Sequence, residues 1–511
     1  MSLKKIIIPK ITALLLISVA APASQYAVAD DRQSSPVSTK TINKAVENLP
    51  PFMDRLTKEL AVLPGASVAI VHKDQLVFSG GFGVTDIDKK TPFTANTPTY
   101  IASGSKAFLG LIIAAMAEEG KLDLHAPIGS TYLADLDQKK LGDFGRVSLH
   151  DLLTHTHGIN GDAVSFRTAY TGDMTAENFW RIAGQLPPKK KGKAFAYSNF
   201  GYVAAGYILQ HHLGLPWQDI VDHYLFEKLN MHQSTARVSD LMEQNFAKPH
   251  IWFGKTRRVP LYKRDASMHP AGGHFSTAKD MAQWLIVNMN GGKLKGNQPF
   301  TESSIATIQA PHAKLEKSFY TYNRKAHGYG WYNADYQGES LYHHFGSFTG
   351  YRAHISFMPD HDLGVIVLSN DLSRATLTLP DMIANYIYDT ALNKQNIDTS
   401  VAEKLAKLDQ KITPIKGKDI PKRPVNAPAD LNLYSGHFSH PTWGNIAFLN
   451  RDGSLIMRWG QAENAPIWTK RKGGLYLRVE IGGRGYLLKP TLNDQGKMTA
   501  FSFAGIQFKK Q

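Results

Sequence analysis

The sequence predicts an α+β fold, in which an antiparallel sheet flanked by helices is followed by a linker and a small all-β barrel. Three observations carry this prediction. β-rich runs lie at both ends of the first 395 residues, with helical patterns between them, which suits packed layers of sheet and helix. Residues 396–428 are rich in Lys, Pro and Asp and include Pro414, Pro421, Pro424 and Pro428, a spacer composition. From Leu431 onward the pattern turns to short strands punctuated by glycine. At 511 residues the chain exceeds what a single core supports.

The elements follow in chain order. Lys4, Lys5 and Lys10 form a positive start, and Ile11 to Ala20 is an apolar run too short to span a bilayer as a stable anchor. Small-residue cleavage patterns follow at Ala21-Pro22-Ala23 and Ala27-Val28-Ala29. The second is favoured because Asp30 and Asp31 begin the next segment. Residues 1–29 therefore read as an export signal, with a retained signal anchor as the alternative. The expectation is a periplasmic or secreted protein with no transmembrane anchor in the mature chain.

Residues 30–50 are polar and read as a lead-in, with folded structure expected from Phe52. Ser67–His72 and Gln75–Phe78 read as strands joined by the turn-forming Lys73-Asp74. An almost wholly apolar helix is predicted from Gly104 to Glu119, ended by Gly120. Residues 121–330 mix helical patterns with Pro- and Gly-rich loops. Strands return at Ala353–Phe357 and Gly364–Leu368, and a helix is predicted over Leu377–Leu392. The main α+β unit is thus placed at 30–395, the linker at 396–428 and a lipocalin-like β-barrel at 429–511. There, Asp452-Gly453 marks a hairpin.

The chain has no cysteine, which excludes disulfides, thiolate catalysis, cysteine-ligated zinc and a lipid anchor on cysteine. Its formal net charge is +15. Such a charge suits nucleic acid in principle, but export removes that partner. Anionic envelope polymers or headgroups are the functional reading of the surface, and a merely solvated basic face is the plain one.

Three Ser-x-x-Lys pairs occur: Ser2/Lys5, Ser103/Lys106 and Ser276/Lys279. The first lies in the signal. Serine is also a preferred helix N-cap, so spacing alone leaves Ser103 and Ser276 open. Ser103 stands where a strand-like segment enters the buried helix. One turn on, Lys106 can reach its hydroxyl, and burial would lower the lysine pKa enough to make the amine a base. The helix N-terminus would also offer N–H groups to an oxyanion.

Ser103-Gly104-Ser105-Lys106, Tyr197-Ser198-Asn199 and His344-Phe345-Gly346, in that order, resemble the three motifs of class C β-lactamases, serine DD-peptidases and related esterases. Leu152 to Gly158 and Gly272 to Asp280 resemble connecting segments of the same group, and the second makes Ser276 structural. The resemblance covers about residues 50–395. It implies Ser103 as nucleophile, Lys106 and Tyr197 as shared general base and acid, and Asn199 as a donor to substrate that helps hold Lys106. It further implies an oxyanion hole from the N–H groups of Ser103 and Ser347, beside Gly346. Lys106 would supply the positive charge that a Tyr197 phenolate needs. Asn199 also reads as an N-cap for the helix over Gly201–Gln210.

His344 replaces the lysine of the usual Lys-Thr-Gly. A neutral histidine donates one hydrogen bond where lysine brings a full charge, which weakens recognition of a substrate carboxylate. Lys189 to Lys193 form a basic run before Tyr197, read as solvated or as attracting anions. Twenty histidines include adjacent pairs, but none has His-Glu-x-x-His spacing, and neither metal nor cofactor is expected. The implied function is an exported serine hydrolase acting on a small-molecule or peptide acyl substrate, with the cell envelope as one source. A β-lactamase or D-Ala-D-Ala carboxypeptidase, and a catalytically inactive envelope binding module, are the alternatives.

Overall fold

The computed structural model describes residues 37–189, 192–374, 376–415, 424–472 and 474–511. The predicted export signal, 1–29, lies outside the described residues.

The first sheet has nine antiparallel strands. From one edge they run Thr91–Pro92, Gln75–Asp86, Gly65–His72, Leu363–Ser369, Tyr351–Met358, Glu339–Phe348, Tyr332–Tyr336, Tyr322–His327 and Ala313–Phe319. Its central strands read as continuous apolar runs because both faces are covered. Val68 and Ile70, with Val365 and Val367, point into one core; Ala69 and Val71, with Ile366 and Leu368, point into another. Helices Thr39–Asp54 and Leu379–Ala391 cover the first face, and Lys106–Glu118 and Ala278–Met289 belong to the second.

Two stretches differ from the sequence reading. Helix Thr39–Asp54 occupies most of what reads as a polar lead-in. A Ser38 capping box starts it, and Ile42, Ala45, Leu49, Phe52 and Met53 are buried along one side. Helix Ile397–Ile412 occupies the first half of the segment read as a linker. Val401, Leu405, Leu408 and Ile412 bury its apolar stripe against the same core.

The C-terminal nine-stranded sheet is antiparallel and curled into a half-barrel. Gly436–His440 pairs with both Gly444–Arg451 and the last strand, Ile506–Lys510. The open edges are Ala462–Asn464 and Ile467–Arg471. The Asp452-Gly453 hairpin is present, with both residues at positive φ, +50° and +73°. This sheet packs directly on the first, α+β part. Phe166 enters a ring cluster of Trp443, Trp459, Tyr486 and Phe503, and Thr349 Oγ1 donates to the Gly482 carbonyl.

Candidate active site

Ser103 sits in a tight turn, Ala102–Ser105, that leads straight into helix Lys106–Glu118. The turn is held from several sides. Ala102 adopts φ +46°, a left-handed conformation that a non-glycine residue keeps only under constraint. Ile101 N–H donates to the His274 carbonyl (3.0 Å), and Ser105 Oγ donates to the Ala102 carbonyl (3.0 Å). That donation uses the only Ser105 hydrogen, so His274 Nδ1, 2.9 Å away, is the donor to Ser105 Oγ.

Lys106 is fully buried, and burial holds its amine well below the ordinary lysine range. Its Nζ lies 2.9 Å from Ser103 Oγ, 2.7 Å from Asn199 Oδ1 and 2.6 Å from the Ala271 carbonyl. The last two partners can only accept. A neutral amine has two hydrogens and one lone pair, so donating to both carbonyl oxygens turns the lone pair toward the Ser103 hydroxyl. In that state the lone pair would face the Ser103 hydroxyl.

Tyr197 places its ring centroid 5.0 Å from Lys106 Nζ and shares a hydrogen bond with Ser103. Burial of its hydroxyl, with a smaller contribution from Tyr332, raises the phenol pKa. The hydrogen bond with Ser103 and the charge of Arg324 offset this only in part. The direction of this shift runs against a phenolate supported by charged Lys106. Desolvation penalises both ions, the Lys106 ammonium and the Tyr197 phenolate. The segment carrying Tyr197 is gripped by His155, itself at φ +62°. The His155 carbonyl accepts from Ala196 N–H (3.1 Å), and its Nδ1 accepts from Ser198 N–H (3.2 Å). Lys189 Nζ donates to the Ala196 carbonyl (2.8 Å), so the first residue of the basic run helps shape this loop. Lys190 and Lys191 lie outside the described residues.

Ser198, not Asn199, caps helix Asn199–Leu213, accepting from Phe200 N–H. With the cap supplied, the Asn199 side chain is free to hold Lys106.

The third motif lies on strand Glu339–Phe348. A Cβ on Gly346 would come within 1.8 Å of the Ile101 carbonyl oxygen, so only glycine lets this strand lie against the nucleophile turn. Ser347 follows directly, paired with Arg352 on the next strand. His344 is buried, and burial lowers its pKa well below the usual value. Its Nδ1–H donates to the Phe345 carbonyl (2.8 Å), which leaves Nε2 as a buried lone pair with no partner. The expected hydrogen-bond donor is therefore an acceptor, because the one N–H of the neutral ring is already used.

Ser276 lies elsewhere. It pairs with Thr99 in a two-stranded ribbon, and its Oγ shares a hydrogen bond with Ser234 Oγ (2.8 Å), while Thr277 caps the helix that follows. Among the described residues, no group of three or more His, Asp or Glu side chains is arranged to hold a metal. No helix there is long and apolar enough to cross a membrane.

Some contributors carry no sequence signal. The Ala271 carbonyl acts through backbone alone. His155 and His274 sit inside the two connecting segments noted above, but nothing in those segments separates a gripping histidine from a core one.

A Beta-lactamase family model matches residues 53–411. The chain is 27% identical over 314 residues to Protein flp of Staphylococcus aureus (strain MW2), covering 60% of each protein. The chain thus spans about three-fifths of the length of that curated relative. Its fold is similar to the octameric penicillin-binding protein homologue from Pyrococcus abyssi. That likeness has a TM-score of 0.58 at 22% identity, covering 91% of this chain and 100% of that one. It is also similar to the D-amino acid amidase from Ochrobactrum anthropi SV3, with a TM-score of 0.58 at 18% identity, covering 69% of this chain and 99% of the amidase.

Proposed function

The chain belongs to the Beta-lactamase family, and from that premise we propose that it is an exported serine hydrolase cleaving an ester, amide or peptide bond through an acyl-enzyme on Ser103. The observation that carries this reading is the buried Lys106 amine, held by Asn199 Oδ1 and the Ala271 carbonyl with its Nζ 2.9 Å from Ser103 Oγ.

In the acylation step, Ser103 Oγ attacks the acyl carbon and its proton passes to Lys106 Nζ. Negative charge collects on the carbonyl oxygen, which the N–H groups of Ser103 and Ser347 would receive. As the tetrahedral species collapses, Tyr197 hands its hydroxyl proton to the leaving group and is reprotonated from Lys106. Water then attacks the acyl carbon by the reverse path, releasing the acid and restoring Ser103. Asn199 orients Lys106 and can donate its amide to the substrate's acyl side.

A small-molecule or peptide acyl donor fits the exposed rim at Tyr197, and the N-terminal motif supports a periplasmic or secreted setting. The bare acceptor at His344 favours substrates without a carboxylate beside the scissile bond, which ranks neutral esters and amides above β-lactams and D-Ala-D-Ala peptides. The inactive binding module is disfavoured by the complete Ser103, Lys106 and Tyr197 set.

A fluorophosphonate probe should label the wild type once, at Ser103, and Ser103→Ala should abolish both labelling and ester turnover at unchanged melting temperature. Ser276→Ala should remain active. A dead Ser276→Ala alongside an active Ser103→Ala would overturn the assignment.

A further inference from the structure

The face of the sheet away from Ser103 should be an apolar layer, since helix Leu379–Ala391 packs on it within an otherwise hydrophobic core. Directly behind the third motif it is ionic instead. Asp381, Asn385 and Tyr388 stand four and three residues apart on that helix, so they share one face. All three turn toward the sheet. Asp381 accepts from Arg352 Nη2 (3.1 Å) and from His354 Nδ1 (2.8 Å). Tyr388 and Ser356 share a hydrogen bond of 2.7 Å, and Ser356 Oγ lies 2.6 Å from His354 Nε2. Asn385 Oδ1 accepts from the Tyr322 hydroxyl (2.7 Å). The side chains of Arg352 and Asp381 are 1% and 0% exposed. Burial pushes the Asp381 carboxyl up, but Arg352 and His354 outweigh it and hold it below the usual range, so the pair is ionised.

A buried ion pair is weak evidence for stability, because desolvating two charges consumes most of what their attraction returns. A positional role explains its place better. The second arm of the Arg352 guanidinium, Nη1, donates to Ser347 Oγ. Ser347 faces Arg352 across the two strands, and the preceding Gly346 is pressed against the Ile101 carbonyl at the nucleophile turn. The strand is thus held from the front by a close backbone contact and from behind by a charge-assisted tether. Planar Arg352 spans both partners, which a lysine could not do.

We propose that Arg352, held by Asp381 and His354, is a positioning residue for acyl transfer: by fixing Ser347 Oγ it sets where the Ser347 N–H meets the developing oxyanion. This inference rests on the reading of Ser103 as nucleophile and Ser347 as an oxyanion donor.

The test compares an activated ester with its thionoester, whose sulfur is a poor acceptor for a well-placed N–H. Wild type should strongly prefer the oxygen ester. In Arg352→Met, which keeps an unbranched side chain of similar length, kcat/KM for the ester should fall by about 10- to 100-fold, less than the loss of a whole oxyanion donor. KM should change little, and the oxygen-to-sulfur preference should shrink by a similar factor. Ser347→Ala removes only the tethered hydroxyl and should reproduce much of this. The double variant should be no worse than the poorer single one. If Arg352→Met does not fold, Ser347→Ala decides alone through the same ratio. An unchanged oxygen-to-sulfur ratio, or single losses that multiply in the double variant, would overturn the positioning role while leaving Ser103 catalysis standing. A wild type that forms no acyl-enzyme at Ser103 would remove both readings.

Discussion

Replacing Gly346 by alanine tests the site through one methyl group. The added carbon would lie 1.8 Å from the Ile101 carbonyl oxygen, where real contacts of this kind do not come under 3.0 Å, so the strand must retreat by about 1.2 Å. The obstacle is backbone, and a flexible side chain cannot yield in its place. Ile101 lies two residues before Ser103, and Gly346 one before Ser347, so the whole displacement opens the gap between nucleophile and proposed oxyanion donor. A misplacement of about 1 Å at a reacting centre costs about 10²-fold, and loss of an oxyanion donor costs about 10²- to 10³-fold. Gly346→Ala should therefore lose about 10²-fold in kcat/KM on an activated acetyl ester, or about 2.7 kcal/mol of transition-state stabilisation. Overpacking should also cost about 1–3 kcal/mol of stability. The assay pairs ester kinetics at a temperature well below melting with a thermal scan of the same sample. A variant that keeps its melting temperature and stays within about threefold of wild-type kcat/KM would refute the claim that this contact sets the gap.

Other outcomes follow from the same geometry. Lys106→Ala and Tyr197→Phe should each lower the acylation rate by about 10²- to 10⁴-fold, and the double variant should fall well short of the product, since both groups move one proton; stopped-flow acylation measures this. Stability should decline on acidification. Burial holds His157, His274 and His327 at pKa values of about 3, whereas the unfolded chain takes up these protons near 6.5. Their neutral forms therefore contribute stability in full above pH 6.5, and this is lost as pH falls from 6.5 toward 3, at up to about 1.4 kcal/mol per pH unit for each histidine. Melting temperatures flat between pH 5 and 7 would contradict this. Finally, His344→Lys should shift the ratio of ester to cephalosporin kcat/KM toward the cephalosporin by about one to two decades, because an ammonium would replace a bare acceptor beside the substrate carboxylate; an unmoved ratio would remove His344 from substrate choice.

Much of this site is legible in the sequence because its reactive groups are side chains at fixed spacing. Lys106 must follow Ser103 by one helical turn for its amine to reach the hydroxyl, and the continuous apolar run after it shows that the helix is buried. What escapes is whatever depends on pairing at a distance. Strands Ala313–Phe319 and Tyr322–His327 sit in the stretch read as helices and loops, and Tyr332–Tyr336 lies just beyond it. At and next to the sheet edge, charged residues such as Lys314, Glu316 and Lys325 are exposed, which blurs a strand signature. Helix Ile397–Ile412 did carry a signal, Val401, Leu405, Leu408 and Ile412 at spacings of four, three and four, but the flanking lysines and prolines suggest a spacer. Helix Thr39–Asp54 continues through Pro50 and Pro51, which on local grounds should end it, because five of its side chains are buried in the core.

Lys106 and Tyr197, in the roles proposed for them, illustrate how burial bears on the chemistry beyond motif identity. From the family resemblance, Lys106 reads as a cation stabilising a Tyr197 phenolate. That reading assumes water is present to solvate the ions. In the fold, Lys106 has no carboxylate partner within hydrogen-bond distance among the described residues, only Ser103, Asn199 and a backbone carbonyl, so no opposite charge offsets the desolvation of an ammonium. The phenol is pushed the other way by the same desolvation. An ion pair would place two charges where burial disfavours each, whereas the neutral pair leaves one lone pair facing one hydroxyl. The acid limb of the acylation rate should then report deprotonation of the Lys106 amine. It should move when Asn199→Ala removes an acceptor and survive Tyr197→Phe, whereas a limb that vanishes with the phenol would return the base role to Tyr197.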